Sequence, residues 1–84
     1  MLLDVISVKA TSDYLLIITF EDGQQRYFNM EPYIDQPPWN RLQHQLIFKQ
    51  AYVQHGTVAW PGNIDIDPET LYELSSPVAQ LAES

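Results

Sequence analysis

The sequence predicts an α+β fold: a small antiparallel sheet built from two hairpins plus an N-terminal strand, accompanied by short helices. Three observations carry that reading. Asp22-Gly23 and His55-Gly56 each separate two stretches rich in β-branched and aromatic residues, the pattern of a tight hairpin turn. Residues 5–10 alternate apolar and polar, as a strand with one wet face does. Asp67-Pro68-Glu69-Thr70 has the residue order of a helix start.

Taken in order, residues 5–10 place Ile6, Val8 and Ala10 on one side and Ser7 and Lys9 on the other. Thr11-Ser12-Asp13 then turns the chain. Across residues 14–20 nearly every position is aromatic, β-branched or leucine, so both faces of this strand need cover and it belongs centrally in the sheet. Asp22-Gly23 returns the chain along residues 25–28, because Asp and Gly tolerate the positive φ that a tight turn demands. Two registers fit this turn. A two-residue loop sets Ile18 opposite Tyr27 and Ile17 opposite Phe28, and a bulged turn slides the pairing by one.

Met30-Glu31-Pro32-Tyr33-Ile34 suits a single helical turn, with Pro32 near its start, where a missing N–H costs nothing. Pro37-Pro38 stops it. Beyond Trp39, the spacing of Leu42, Leu46 and Ile47 predicts a short helical or irregular stretch ending at Phe48, its apolar side chains laid on one sheet face. Ala51-Tyr52-Val53 and Thr57-Val58-Ala59-Trp60 make the second hairpin, which Pro61-Gly62-Asn63 breaks off. In the helix that follows, Asp67 is the expected cap, its oxygen accepting from exposed backbone donors; Pro68 takes the first helical position and Glu69 the positive dipole end. Leu71 and Leu74 are expected to face inward. Ser75-Ser76-Pro77 ends this helix and caps a last one over residues 78–82. All of residues 1–84 are read as one domain, with its core in 2–75 and a tail or short helix over 76–84.

Composition narrows the function classes. At 9.7 kDa the unfolded chain exposes roughly 14,000 Å² and the folded one roughly 5,100 Å², so about 64% is buried and one modest core is possible. Eleven acids against four bases give a formal charge of −7, a field that repels phosphate backbones and anionic lipid. The bases Lys9, Arg26, Arg41 and Lys49 are dispersed and form no nucleic-acid stripe. Absence of cysteine removes disulfides, thiolate nucleophiles and thiolate metal sites. Met1-Leu2-Leu3-Asp4 lacks the positive start and long apolar centre of a secretory signal, and no apolar stretch approaches the roughly 20 residues of a membrane-spanning helix. A cytoplasmic protein is expected.

Asp65, Asp67 and Glu69 alternate along the chain, and three nearby carboxylates are the hard oxygen ligands that calcium or magnesium prefers. They are the basis of an alternative reading, a metal-dependent or acid-base enzyme. Against it, an EF-hand loop needs a further acid, a glycine at its sixth position and a closing glutamate, and Pro68 begins a helix where that loop would continue. The structural reading makes Asp67 the cap and ties Asp65, between Ile64 and Ile66, to backbone donors of the turn. His44 and His55 have no partner at metal-ligand spacing. No glycine-flanked serine marks a nucleophile, and the three glycines, each in a turn, leave no phosphate-cradling loop. Catalytic residues, cofactor-binding residues and metal ligands are therefore left unassigned, and a non-enzymatic function is expected. Asp22, Gly23, Trp60, Asp65, Asp67 and Pro68 receive structural roles in turns and caps.

Most of the aromatic residues must be core, yet the short helices can cover little more than one sheet face, leaving residues 14–20 with apolar surface on the other. Either a protein partner or a second copy covers it, or residues 33–48 wrap over it. Tyr33 and Trp39 are the candidate interaction residues; Trp39, after two prolines, is the candidate exposed anchor because Trp concentrates binding energy.

The run Tyr14-Leu15-Leu16-Ile17-Ile18-Thr19-Phe20-Glu21-Asp22-Gly23 and the block Trp60-Pro61-Gly62-Asn63-Ile64-Asp65-Ile66-Asp67-Pro68-Glu69-Thr70-Leu71-Tyr72 resemble the small bacterial domain of unknown function 2442 family. The resemblance spans residues 5–72, and its specific part is the second block: a Trp ending a strand, a Gly/Asn turn, an Asp between apolar residues, then Pro, an acid and Leu71-Tyr72. It implies a compact α+β domain, found alone or joined to a helix-turn-helix domain, as in the fold named for the N-terminal domain of such a protein. It implies no catalytic residue. Members are often encoded beside small proteins suspected of belonging to toxin–antitoxin-like pairs, which implies a protein-binding role by analogy. The chain ends soon after Leu81, so the DNA-binding domain is expected to lie outside it and any link to transcription to run through a partner. The expectation is a small acidic interaction module that neutralises a basic protein partner or self-associates, with no direct nucleic-acid contact, no membrane contact and no small-molecule substrate identified.

Overall fold

The computed structural model describes residues 3–79. Along the chain run strands β1 (Val5–Ala10), β2 (Leu15–Phe20), β3 (Gln25–Asn29), β4 (Tyr52–Gln54), β5 (Thr57–Trp60), β6 (Ile64–Asp65) and β7 (Ser76–Pro77). Helices α1 (Gln45–Phe48) and α2 (Pro68–Leu74) join 3₁₀ turns at Glu31–Tyr33 and Trp39–Gln43. The α+β class and both expected hairpins are present, but the strands divide between two antiparallel sheets, β1-β2-β3-β7 and β4-β5-β6. Two short strands escape the sequence reading. Pro61-Gly62-Asn63 folds the chain back into a third hairpin, pairing Trp60 with Ile64, and Ser76–Pro77 pairs with Arg26 and Tyr27 at the sheet edge, where a proline is tolerated.

Three of the four hairpin turns share one feature, and in the third of them Gly62 (φ 93°) also stands at positive φ. A three-residue loop ends on a residue in the left-handed region: Tyr14 (φ 62°) after β1, Gly23 (φ 91°) after β2 and Asn63 (φ 63°) after β5. This is the bulged turn whose twist suits flanking strands. The fourth turn, His55 (φ 52°) and Gly56 (φ 76°), is a two-residue loop with both residues at positive φ, the type I′ geometry. A Cβ at Gly56 would also lie 2.6 Å from the exposed Asp4 carboxylate, so that side chain would have to move aside.

The β2–β3 turn takes the bulged alternative, pairing Leu16 with Phe28, Ile17 with Tyr27 and Ile18 with Arg26. Side chains alternate strictly along a strand, so this register gathers Leu16, Ile18, Phe20 and Phe28 on one face, all buried. In β1 the expected alternation fails at one place. A bulge between Val5 and Ser7 inserts Ile6, which is 58% exposed, and the core-facing set becomes Val5, Val8 and Ala10.

Residues 30–48 do not wrap over the far side of this sheet. They pack on its core side, where Phe28 stacks on Tyr33 at 5.6 Å and Tyr14 meets Phe48 at 5.2 Å. Leu46 is 71% exposed because α1 is a single turn that directs only Ile47 and Phe48 inward. Helix α2 likewise buries the stripe Pro68, Leu71, Tyr72 and Ser75, spaced i, i+3, i+4 and i+7, and leaves Leu74 outside at 58% exposure. Both sheets share one buried cluster with Leu42, Phe48 and Leu71. Accessible area is 5174 Å², close to the average that mass scaling gives for a folded chain of this size. The predicted helix over residues 78–82 lies largely outside the described residues.

Turn chemistry should separate two substitutions. Gly23→Ala meets open space and carries only the conformational penalty of a left-handed alanine, about 1 kcal/mol. Asn63→Gly should stay within about 0.5 kcal/mol, since Asn already tolerates this region. Urea denaturation of the two variants checks the difference.

Candidate interaction surface

The residues singled out from the sequence serve mainly to hold the two sheets and their connections together. Trp60 is fully buried; its indole Nε1 donates to the Phe48 carbonyl at 2.8 Å and its ring stacks on Phe48 at 6.1 Å. Thr57, also buried, donates its hydroxyl to the Ile66 carbonyl. Among the described residues no buried side-chain polar atom lacks a partner, as a stable interior requires.

Tyr33 and Trp39 are half-buried and packed against the core. Their rings meet edge to face at 6.2 Å, and the Trp39 indole donates to the Asp65 carbonyl at 3.2 Å. Trp39 is thus a clamp between its 3₁₀ turn and β6, not an exposed anchor. The unforeseen β5–β6 hairpin is the reason, because it carries the Asp65 carbonyl to the indole. Asp65 contributes that carbonyl, while its exposed carboxylate takes no hydrogen bond among the described residues.

Asp67 stands at the cap position of α2 with Pro68 following, yet its carboxylate accepts no backbone N–H. The Thr70 hydroxyl lies 3.4 Å away, and the helix starts instead on the Asp67 carbonyl, which accepts from Leu71 N–H at 3.1 Å. The capping bond expected from the sequence is therefore absent: the Asp67 backbone (φ −58°, ψ 131°) enters the helix through Pro68, and the side chain stays in solvent. Among the described residues no three carboxylates or imidazoles lie close enough to hold a metal ion. Asp65 on β6, Asp67 at the cap and Glu69 in the first helical turn do not converge.

Asp22 does what its turn position implies. Gln24 donates its backbone N–H to Oδ1 at 3.0 Å and its side-chain amide to Oδ2 at 2.6 Å. The backbone bond, then the side-chain bond, hold the Asp22 carboxyl below the usual aspartate value.

Arg26 is the structural residue that sequence reasoning missed. Its Nε donates to the Ser75 hydroxyl at 2.6 Å and an Nη to the Ser75 carbonyl at 2.7 Å, with the guanidinium 4.9 Å above the Tyr72 ring. A cation here also faces the C-terminal carbonyls of α2. These bonds fasten the helix end to β3 and set the short strand β7 beside it. Nothing local in the sequence marks the link of Arg26 to Ser75, which lies 49 residues away.

On the opposite face of the β1-β2-β3-β7 sheet, nothing among the described residues joins these strands to the core. Lys9, Ile17, Tyr27 and Ser76 form one row across the strands, flanked by the rows Ser7, Thr19, Gln25 and Leu15, Asn29. Leu15, Ile17 and Tyr27 are half-buried, yet belong neither to the core cluster nor to the side chains packed against it. No acidic residue occurs in these four strands. Among the described residues no helix is long and apolar enough to cross a membrane.

Two measurements test these assignments. The folded Asp22 carboxyl titrates below its unfolded value, so its stabilisation is present above the ordinary aspartate range and is lost as pH falls through the folded value. Asp22→Asn, which keeps an acceptor for Gln24, should flatten the fall in melting temperature as pH drops below about 4, the ordinary aspartate value. Asp67→Ala should change stability by under about 0.5 kcal/mol, where loss of a working cap costs about 1 kcal/mol.

A family model described as "Protein of unknown function (DUF2442)" matches residues 5–77, from the first residue of β1 to the last of β7. No curated protein and no solved structure is matched significantly. With nearly the whole described chain covered by that model, this protein belongs to the DUF2442 family.

Proposed function

We propose that the domain is a non-enzymatic protein-interaction module whose contact surface is the open face of the β1-β2-β3-β7 sheet. The observation that carries this reading is the row of half-buried Ile17 and Tyr27, with Leu15 beside it, which no part of the described chain covers. Low charge combined with tyrosine and aliphatic side chains is the composition of an interface centre. A toxin-like or DNA-binding protein, the partner class that the family resemblance implies, suits an acidic chain, because proteins that contact phosphate carry basic surface. The enzyme alternative draws on Asp65, Asp67 and Glu69, and their divergence gives it less support.

Affinity capture with the wild-type chain beside two variants tests the reading. Tyr27→Lys puts a charge on the open face, and Leu46→Lys makes the same change on exposed α1. A protein retained by wild type and by Leu46→Lys and lost with Tyr27→Lys is the expected outcome; equal retention by all three, or none by any, overturns it. For the enzyme alternative, millimolar magnesium, calcium or manganese should leave the melting temperature unchanged, whereas a bound ion at about 100 times its Kd would add about 2.7 kcal/mol.

A further inference from the structure

We propose that the open sheet face receives a basic protein whose contact element carries an apolar centre between cationic ends; this rests on the interaction reading above and adds the chemistry of the partner. Along its middle the face is nearly uncharged. Lys9 is the one outward charge, because Arg26, the other base in these strands, is turned inward onto Ser75 and Tyr72.

The acids stand at the two ends of the sheet. Asp4, Glu21 and Asp22 border one end, where Glu21 N–H donates to the Asp4 carbonyl at 2.8 Å. Asp13 and Glu31 border the other, on either side of the 2.8 Å bond from Met30 N–H to the Tyr14 carbonyl. All five are exposed.

Area shows why the ends must take part. Strands about 4.8 Å apart, rising about 3.4 Å per residue, give this face roughly 300 Å². A stable interface buries about 800 Å² on each partner. A partner therefore has to reach beyond the apolar middle onto the sheet ends, where it meets carboxylates. The same geometry argues against a second copy. With both ends acidic, stacking two sheets with strands aligned lays carboxylate over carboxylate whichever way the copy is turned, and each chain adds its charge of −7. Nucleic acid would bring phosphates to the same places.

The test is a titration of the full-length ¹⁵N-labelled chain with two synthetic peptides that share one apolar centre, one with lysine and arginine ends and one with glutamate ends. The basic peptide should shift the amides of Lys9, Ile17 and Tyr27 together with those of Glu21 and Glu31, and the acidic peptide should shift none. Raising ionic strength from about 0.01 M to about 0.15 M, which shortens the screening length from about 30 Å to about 8 Å, should weaken binding by about tenfold. Tyr27→Lys should weaken it as much. Should that variant fold poorly, the paired loop substitutions Glu21→Lys and Glu31→Lys, which leave the strands intact, should do the same. Equal response to both peptides, salt-independent binding, shifts centred on Trp39 or α1, or a sedimenting dimer with the same amides affected each overturn the proposal. If neither peptide binds while the capture experiment still distinguishes Tyr27→Lys, the charge assignment fails and the interaction reading stands; if both experiments are blank, both fail.

Discussion

Strand register is the constraint from which the other features follow, and a left-handed residue at the end of each three-residue turn sets it. Gly23 closes the loop after β2 with φ 91°, which slides β3 by one residue relative to a two-residue turn. Because side chains alternate, that slip decides which face Phe28 and Tyr27 occupy. Phe28 joins Leu16 and Ile18 in the core, and Tyr27 joins Ile17 outside. The Ile6 bulge makes the same kind of adjustment in β1, letting Val5 and Val8 both face inward. A largely apolar core face and an outer face without acidic residues, on which Lys9 is the one charge, are two products of one set of pairings.

The second sheet is held by different means. Its strands are short, and β5 is buried at every residue, so backbone pairing alone could not keep it in place. Trp60 supplies area and a hydrogen bond to Phe48, while Trp39 fastens the connecting segment to β6 through the Asp65 carbonyl. Arg26 performs the corresponding task for the C-terminal helix. Each of these links joins parts distant in sequence, and each satisfies a polar group that would otherwise be stranded at a packed junction. Such a small chain, with no cysteine and so no disulfide, depends on these few links because its core has little surplus.

Burial of the conspicuous aromatic residues shifts attention from Trp39 to the sheet. A domain that commits its two tryptophans to packing keeps no large exposed aromatic anchor among the described residues apart from Tyr52, 41% exposed on β4. On the proposed interaction reading, the contact surface is a hydroxyl- and amide-rimmed strip with acidic ends. Recognition on such a surface relies on electrostatic matching more than on depth.

Much of the fold was readable locally. Asp22-Gly23 and His55-Gly56 announce hairpins, Pro32 and Pro68 mark helical starts, and the length of the apolar run in β2 predicts its central place, because each depends on backbone preferences of a few adjacent residues. Pairings between remote segments were not readable. Tyr14 and Asn63 occupy positions that usually favour glycine, so the loops they close gave weaker hairpin signals. Strand β7 exists because Arg26 draws Ser75 against β3, and the outward aim of Leu46 and Leu74 depends on which side of a short helix meets the core. By itself the sequence determined the class, the turns and the acidic balance, since these are properties of neighbouring residues and of their sum. Only the tertiary structure decided that the carboxylates near α2 form no metal-holding group, that Trp39 is a clamp and that no described residue joins one sheet face to the core, because each depends on where distant segments meet.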